Sequence, residues 1–566
     1  MEKRWIIQKS DQKFVQKLAK DLGVNHIVAH LLVLRGIENF DDAKLFFRPE
    51  LKHLHDPFLM KNMQDAVDRI EKAIANKEKV LVYGDYDVDG TTSVAMMYSF
   101  LKRFSPEIEY YIPCRYEEGY GISLKGIDYA KKNNFSLIIA LDCGIRAFDQ
   151  VDYANEKEVD FIICDHHNPA DKIPKAVAIL NPKQSDCNYP YKELSGCGVG
   201  FKLIQAVQQR MELPQKELFC YLDLVATAIA ADIVPIIGEN RILTFLGIEQ
   251  LNQSPRVGLQ FFLKSLKNPV SVTDLVFVIA PRINAAGRMD HGLNAVELLA
   301  ASDVEVALPI ARSIEFYNSE RRATDERITK EALQQIILNE QQESFSTVVF
   351  HSSWHKGVIG IVASRLIETY YRPTVVLTES EGVLSGSVRS VRGFDVYKAL
   401  ESCAEFMIQF GGHKYAAGLT LKPEQLEGFK KGFEAYVRST ILKEQQTPSL
   451  IYDAVLKLNE LSPKLLRILN QMGPFGPKNM RPVFVTHHCK DTGGSRLVGK
   501  DQTHLKLEIR DSSGIQIQGI GFGMGANLIT IKNQLPFSVL YTLEENEYNG
   551  IVSLQLKVKD LKFEEV

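Results

Sequence analysis

The chain has 566 residues, of which 45% are hydrophobic and 24% charged, with 37 Gly and 22 Pro. These proportions exclude a fibrous, low-complexity or disordered chain, and the length suffices for three or four domains with more than one buried core. The formal net charge is −3, so any nucleic-acid site must be a local basic patch, not a global excess.

Eight cysteines stand without a single CxxC pair, which speaks against a zinc ribbon or a disulfide framework. They read as small core residues of a reducing compartment. The opening MEKRWIIQKSDQKF lacks the apolar stretch of a secretory signal, and no apolar run approaches the ~20 residues that span a bilayer. The expectation is a cytoplasmic protein with no membrane partner.

Residues 1–75 are mixed and mostly helical in pattern, with KNMQDAVDRIEKAIANK (61–77) as an amphipathic helix. Over 76–235 the rhythm changes. KVLVYGD (79–85), IEYYIP (108–113), SLIIALD (136–142) and VDFIICD (159–165) are short apolar runs separated by helical stretches, and three of them end in Asp. This alternation predicts an α/β unit with a doubly wound parallel sheet, whose ligands gather outside the carboxyl ends of the strands. Residues 236–341 read as helical, closing in one extended helix over 303–341 that bridges two lobes. A second α/β pattern occupies 342–445, with STVVFH (346–351), a helix from Gly357 to Glu368, PTVVLT (373–378), the Gly-rich FGGHKYAAG (410–418) and a further helix. From 450 to 566 the chain is β-rich, with RPVFVTHH, HLKLEIRD, GIQIQGIGF and IVSLQLKVKDLKF predicting a small barrel or sandwich.

The sharpest chemical signal is YGDYDVDGTTS (83–93), which sets Asp85, Asp87 and Asp89 within five residues at a strand end. Such a cluster repels itself unless cations neutralise it. The alternative is a solvated polar turn; a calcium loop fails for want of a Glu at its twelfth position. Asp142 closes the third apolar run, Asp165 the fourth, and His166 and His167 follow at once. Asp232 sits in IAADIVP, where a lone carboxylate is costly unless it caps a helix or is otherwise satisfied. Oxygen ligands with imidazole suit manganese or magnesium over zinc or copper. Two such ions sharing a carboxylate activate water and clamp a phosphodiester.

GDYDVDG, LDCG, DHH and ADIVP, in this order, resemble the four motifs of the DHH phosphoesterases. IPCRYEEGYG, SGCGVGFKL, APRINAAGRM, FYNSERR, GSVRS and GGHKYAAG extend the likeness, across nearly the whole chain, to the single-strand-specific 5′→3′ exonucleases of that family. The resemblance implies a DHH domain, a long connecting helix, a DHH-associated domain and an OB-type barrel. It implies Asp85, Asp87, Asp89, Asp142, His166 and Asp232 as ligands of two divalent ions, manganese first and magnesium second, with Asp142 as the bridge. It makes Asp87, Asp142, His166 and His167 the catalytic set, His167 facing the scissile phosphate. Many members carry a metal-binding His where this chain has Tyr83; Asp85 stands in for it, and the division of the three motif acids is left open.

A 5′ exonuclease must also anchor a terminal phosphate. Arg115 follows the second strand, and its guanidinium suits that task. Ser387, Arg389 and Ser390 in GSVRS, and His413 in GGHKYAAG, resemble the family's 5′-phosphate pocket. Arg282 and Asn284 either contact substrate or brace the connector; Trp354 and His355 either face the strand or pack in a core. Between Lys464 and Arg510 nine Lys and Arg face three acids, a local +6 suited to single-stranded nucleic acid. His487 and His488 receive no role. The expected function is single-stranded-DNA-specific 5′→3′ exonucleolysis in recombination and repair, by a monomer working with a helicase and a single-strand-binding protein. A small-substrate phosphodiesterase and a catalytically dead scaffold are the rival readings.

Overall fold

The computed structural model describes residues 2–266, 269–533, 535–548 and 550–564. The four apolar runs form strands β1 (Lys79–Gly84), β2 (Ile108–Tyr111), β3 (Phe135–Leu141) and β4 (Asp160–Cys164), joined by a short fifth, β5 (Ala178–Leu180). All pair in parallel, in the order β2-β1-β3-β4-β5. Both faces of this sheet are covered: Val80, Val82 and Ile139 enter one core, while Leu81, Tyr83 and Ile138 enter another. Burial on both sides is why these strands read as continuous apolar runs rather than alternating ones. Helix α1 (Val88–Leu101) leaves β1 and is buried along most of its length. Helices α2 (Gly196–Arg210), α3 (Leu222–Ala231) and α4 (Ala280–Met289) pack around it and lead into α5 (Val304–Leu338), the 35-residue connector expected between the lobes.

The second lobe is a five-stranded sheet of β6 (Thr347–Phe350), β7 (Thr374–Ser380), β8 (Val383–Arg389), β9 (Gln409–His413) and β10 (Ala416–Leu421), with α6 (Ile359–Thr369) between β6 and β7. Its order is β9-β10-β8-β7-β6. The Gly-rich stretch is therefore a hairpin within the sheet, with His413 at its tip.

In the C-terminal region β11 (Phe484–Asp491), β12 (His504–Arg510), β13 (Gln516–Gly521), β14 (Phe537–Tyr548) and β15 (Ile551–Phe563) close into a ring, β11-β14-β15-β13-β12 and back to β11. This is the five-stranded OB arrangement. Strand β14 lies outside the expected strands, because its second half, LEENEY, is dominated by acids. A strand at Arg4–Ile7 pairs with Ser449–Tyr452, and Val15, Leu18, Val28 and Leu32 share one core with Leu465, Phe484, Leu507 and Tyr541. Partners more than 400 residues apart leave no local pattern, so the sequence does not show that the N-terminal helices belong with the barrel. No helix among the described residues is long and apolar enough to cross a membrane.

Candidate active site

Sheet order builds the site. Strands β1, β3 and β4 are neighbours, so Asp85, Asp142 and the Asp165–His166–His167 run emerge side by side at their carboxyl ends. Asp87 caps α1 through Gly90 N–H at 3.1 Å, and Asp89 lies in its first turn. The start of α2 grips Asp89, whose two carboxylate oxygens accept the N–H groups of Gly196 and Cys197 at 2.7 Å each. Gly196 has a second duty: a Cβ there would lie 2.4 Å from Asp142 Oδ1. Asp232 arrives from the end of α3. The fold thus gathers carboxylates from four separate segments, and two histidines, at one edge.

His166 Nε2 is the hub. It lies 3.3 Å from Asp142 Oδ1, 3.6 Å from Asp232 Oδ2 and 3.9 Å from Asp89 Oδ2. Two sets, Asp142–His166–His167 and Asp89–His166–Asp232, each offer ligand atoms within 4.8 Å of one another. Both oxygens of Asp85 and Oδ1 of Asp142 are buried without a hydrogen-bond partner. Buried acceptors without donors are what a cation would satisfy. The oxygens of Asp89, Asp142 and Asp232 around the His166 imidazole, with the unpartnered Asp85 at the same edge, fit hard divalent ions.

Electrostatics point the same way. Burial, then the neighbouring Asp87, pushes Asp85 up to about 8; burial, then Asp232, pushes Asp89 up to about 7. Burial and then Asp87 raise Asp232 to about 7, and burial and the surrounding acids hold Asp142 well above the usual carboxylate range. Burial lowers His166, keeping its imidazole neutral and free to ligate.

Asp165 behaves differently. Burial would raise it, yet it accepts His167 Nδ1 at 2.7 Å and the N–H groups of Ile145, His166 and His167, which together hold it at about 2. The same contact outweighs burial at His167 and raises its pKa. With Nδ1 fixed, His167 presents Nε2, 3.3 Å from the Tyr120 hydroxyl. Replacing Asp165 with Asn removes the charge that orients this ring; kcat should fall about 10–100-fold with little change in KM. Steady-state kinetics across pH check this, and the His167-dependent limb should move to lower pH.

The second lobe faces this edge across a cleft rich in arginine. Tyr116 donates its hydroxyl to the Arg288 carbonyl, and Arg288 Nη1 reaches the Gly357 carbonyl at 3.4 Å. Arg288 is pushed down to about 10, by burial first and then by Arg115, Arg321 and Arg389. Arg115 lies over the Tyr86 ring, 5.1 Å from its centroid. Arg389 bonds Ser387 Oγ at 3.2 Å and the Val388 carbonyl at 2.8 Å, and it forms no ion pair among the described residues. Ser387 and Arg389 are two apart on β8 and share a face. Cross-strand pairing continues that face from Arg389 through Ala416 to His413, and from Ser387 through Gly418 to Gly411, where a Cβ would meet open space. The strip carries small residues beside a single cation, Arg389.

Other residues resolve toward structure. Ser390 Oγ turns to the Phe394 carbonyl at 2.9 Å. Arg282 pairs with Glu315 of α5 at 2.6 Å, the bracing arrangement, whereas Asn284 lines a cavity with Arg288, Arg321 and Ile361, next to Ala231. Trp354 is buried and donates to Glu331 at 2.8 Å, and His355 Nδ1 accepts from Gly357 N–H. His487 bonds Ser538, and His488 pairs with Glu564. On the barrel, Arg496 lies opposite Lys506 and Lys490 opposite Arg510, like charges across strands that favour an anionic partner.

Comparison with known proteins matches three regions: residues 79–229 to the DHH family N-terminal domain, 342–439 to the DHHA1 domain and 452–560 to the RecJ OB domain. The chain is 37% identical to the single-stranded-DNA-specific exonuclease RecJ of Bacillus subtilis (strain 168), over 98% of this chain and 70% of that protein. The chain belongs to the RecJ family of single-stranded-DNA-specific exonucleases. The crystal structure of RecJ from Thermus thermophilus in complex with Mn2+ superimposes with a TM-score of 0.86 at 26% identity, covering 100% of this chain and 80% of that one. The Mg2+ complex of RecJ from the same organism gives 0.79 at 25% identity, covering 100% and 79%. RecJ relatives have thus been crystallised with the two ions expected from the donor set, and the α/β lobes and OB barrel are those of RecJ.

Sequence reasoning passed over Asp165, Tyr120, Arg288 and Arg321 as site residues. Helical spacing held a usable signal: Asn284 and Arg288 are four apart and share a face, while Arg282 and Asn284 diverge. Nothing in the sequence marks Gly196 and Cys197 as donors to Asp89.

Proposed function

We propose that this protein is a two-metal 5′→3′ exonuclease that degrades single-stranded DNA in recombination and repair. The observation that carries the reading is the convergence of Asp89, Asp142 and Asp232 oxygens within 3.9 Å of His166 Nε2 on the carboxyl edge of the sheet. Asp85, Asp87, Asp89, Asp142, His166 and Asp232 would hold the ions, Asp142 between them. Divalent ions bound there supply an activated water and neutralise charge on the phosphoryl group. The chain's own groups do the rest. Asp89 is fixed by two backbone donors before any ion arrives, so little reorganisation is needed. His167, oriented by Asp165, directs Nε2 to a non-bridging phosphoryl oxygen. Ser387, Arg389 and His413, with Arg115 across the cleft, seat the 5′-phosphate, and this fixes the polarity. The basic barrel holds the trailing strand. A cytoplasmic, nucleoid-associated monomer fed by a helicase and a single-strand-binding protein suits this activity.

Oligonucleotides labelled at the 5′ or the 3′ end, with and without manganese, test the proposal. Manganese-dependent release from the 5′ end of long single strands is expected. Release from the 3′ end would overturn the polarity, and hydrolysis confined to dinucleotides would favour the small-substrate reading. Arg389→Ala should raise KM for 5′-phosphorylated strands about 10–100-fold, the loss of one charge-assisted hydrogen-bonding group, and leave 5′-hydroxyl strands nearly unaffected.

A further inference from the structure

Asp232 is the ligand candidate at the very end of α3, where the chain leaves the helix. Its side chain is one-third exposed, and the next residue, Ile233, is a β-branched residue at φ +58° with 65% of its surface exposed. A left-handed isoleucine that gains nothing from burial persists only where its surroundings over-determine it. Those surroundings come from the far end of the chain. Ile236 N–H donates to the Pro477 carbonyl at 2.8 Å, and the fully buried Ile236 side chain packs on Gly476, where a Cβ would lie 2.4 Å from Ile236 Cδ1.

The loop that receives Ile236 is itself locked. Asn479 donates to the Met472 and Pro474 carbonyls at 2.9 and 2.8 Å and accepts Arg35 Nε at 2.8 Å. Arg241, on the helix that follows the Asp232 segment, donates to the Met472 and Gly473 carbonyls at 3.0 and 2.8 Å and to the Phe46 carbonyl of the N-terminal helices. No carboxylate pairs with Arg241 among the described residues; all four of its hydrogen bonds go to these carbonyls.

We propose that the Met472–Met480 loop positions Asp232, so that the C-terminal unit sets how tightly the Asp89–His166–Asp232 set holds its divalent ion. The inference rests on reading Asp232 as a ligand. Gly476 and Asn479 are positioning residues: they touch neither substrate nor ion and act through Ile236 and the strained Ile233.

The test is calorimetric titration of MnCl2 into the full-length protein without DNA. Gly476→Ala should weaken one of two binding events about tenfold, the size expected for loss of outer support to a ligand, and leave the other unchanged. Adding Ile236→Val, which removes the colliding Cδ1, should recover most of that loss; a general destabilisation would not be rescued in this way. Asn479→Ala gives the same readout should Gly476→Ala fail to fold. Asp232→Asn, titrated alongside, defines the signature of a lost ligand. If Asp232→Asn weakens manganese binding while Gly476→Ala and Asn479→Ala bind as the parent does, the positioning role is overturned. If Asp232→Asn itself binds as the parent does, the ligand reading fails first.

Discussion

Asp142→Ala should abolish manganese-dependent nuclease activity, by at least about 10³-fold, while the metal-free protein melts no earlier than the parent. Two facts set this combination. Asp142 Oδ1 is buried, lacks a hydrogen-bond donor and faces His166 Nε2 at 3.3 Å, so its removal takes a candidate ligand from the centre of the cluster. The same carboxyl is buried and crowded by Asp89, Asp87 and Asp232, so without ions it is held protonated and unpartnered. Deleting a buried carboxyl that lacks a hydrogen-bond partner does not destabilise as deleting a packed methyl group does. Single-turnover cleavage with and without manganese, and thermal melts in chelator, measure the two halves. A large drop in the chelated melting temperature would mean that Asp142 is structural.

The second large effect is the linkage of metal, pH and stability. Asp85, Asp89 and Asp232 have folded-state pKa values raised to about 8, 7 and 7 from an ordinary value near 4, burial being the main cause in each. A raised carboxyl pKa means that the folded chain binds more protons than the unfolded one over this interval. Metal-free stability is therefore full below about pH 4 as far as these groups are concerned, and falls as pH climbs through 5 to 8. Manganese replaces the protons, so its affinity rises over the same interval and its stabilisation is largest at the alkaline end. At a free concentration 1,000 times Kd, each ion adds about 4 kcal/mol, or roughly 8–16 °C in melting temperature for a domain of this size. Melts at pH 5.5 and 8 should show the gap between metal-loaded and chelated protein widening with pH. A gap that narrows would contradict the cluster's assignment.

Much of this was legible in the sequence because the chemistry sits at strand ends. An apolar run closing in Asp marks both the strand and its carboxyl edge, and β1, β3 and β4 each begin and end within a residue of the run. The 35-residue connector announced itself by the lack of Gly or Pro beyond Pro309. What stayed hidden depends on partners distant in sequence. Asp89 is held by residues 107 and 108 positions away, and the N-terminal helices share a core with a barrel at the other end of the chain. Arg288 was masked by helical geometry: it faces the cleft, whereas Arg282, in the same motif, turns to Glu315. Asp165 closes a strand just as Asp142 does, yet its oxygens accept backbone and His167 donors, whereas Asp142 Oδ1 has none.

The most direct measurement is anomalous diffraction from crystals grown with manganese. Two peaks about 3.5–4 Å apart, bridged by Asp142 and flanked by His166 and Asp232, are the expected result. A map with no peak at this edge, or with ions held only elsewhere on the molecule, would contradict the account.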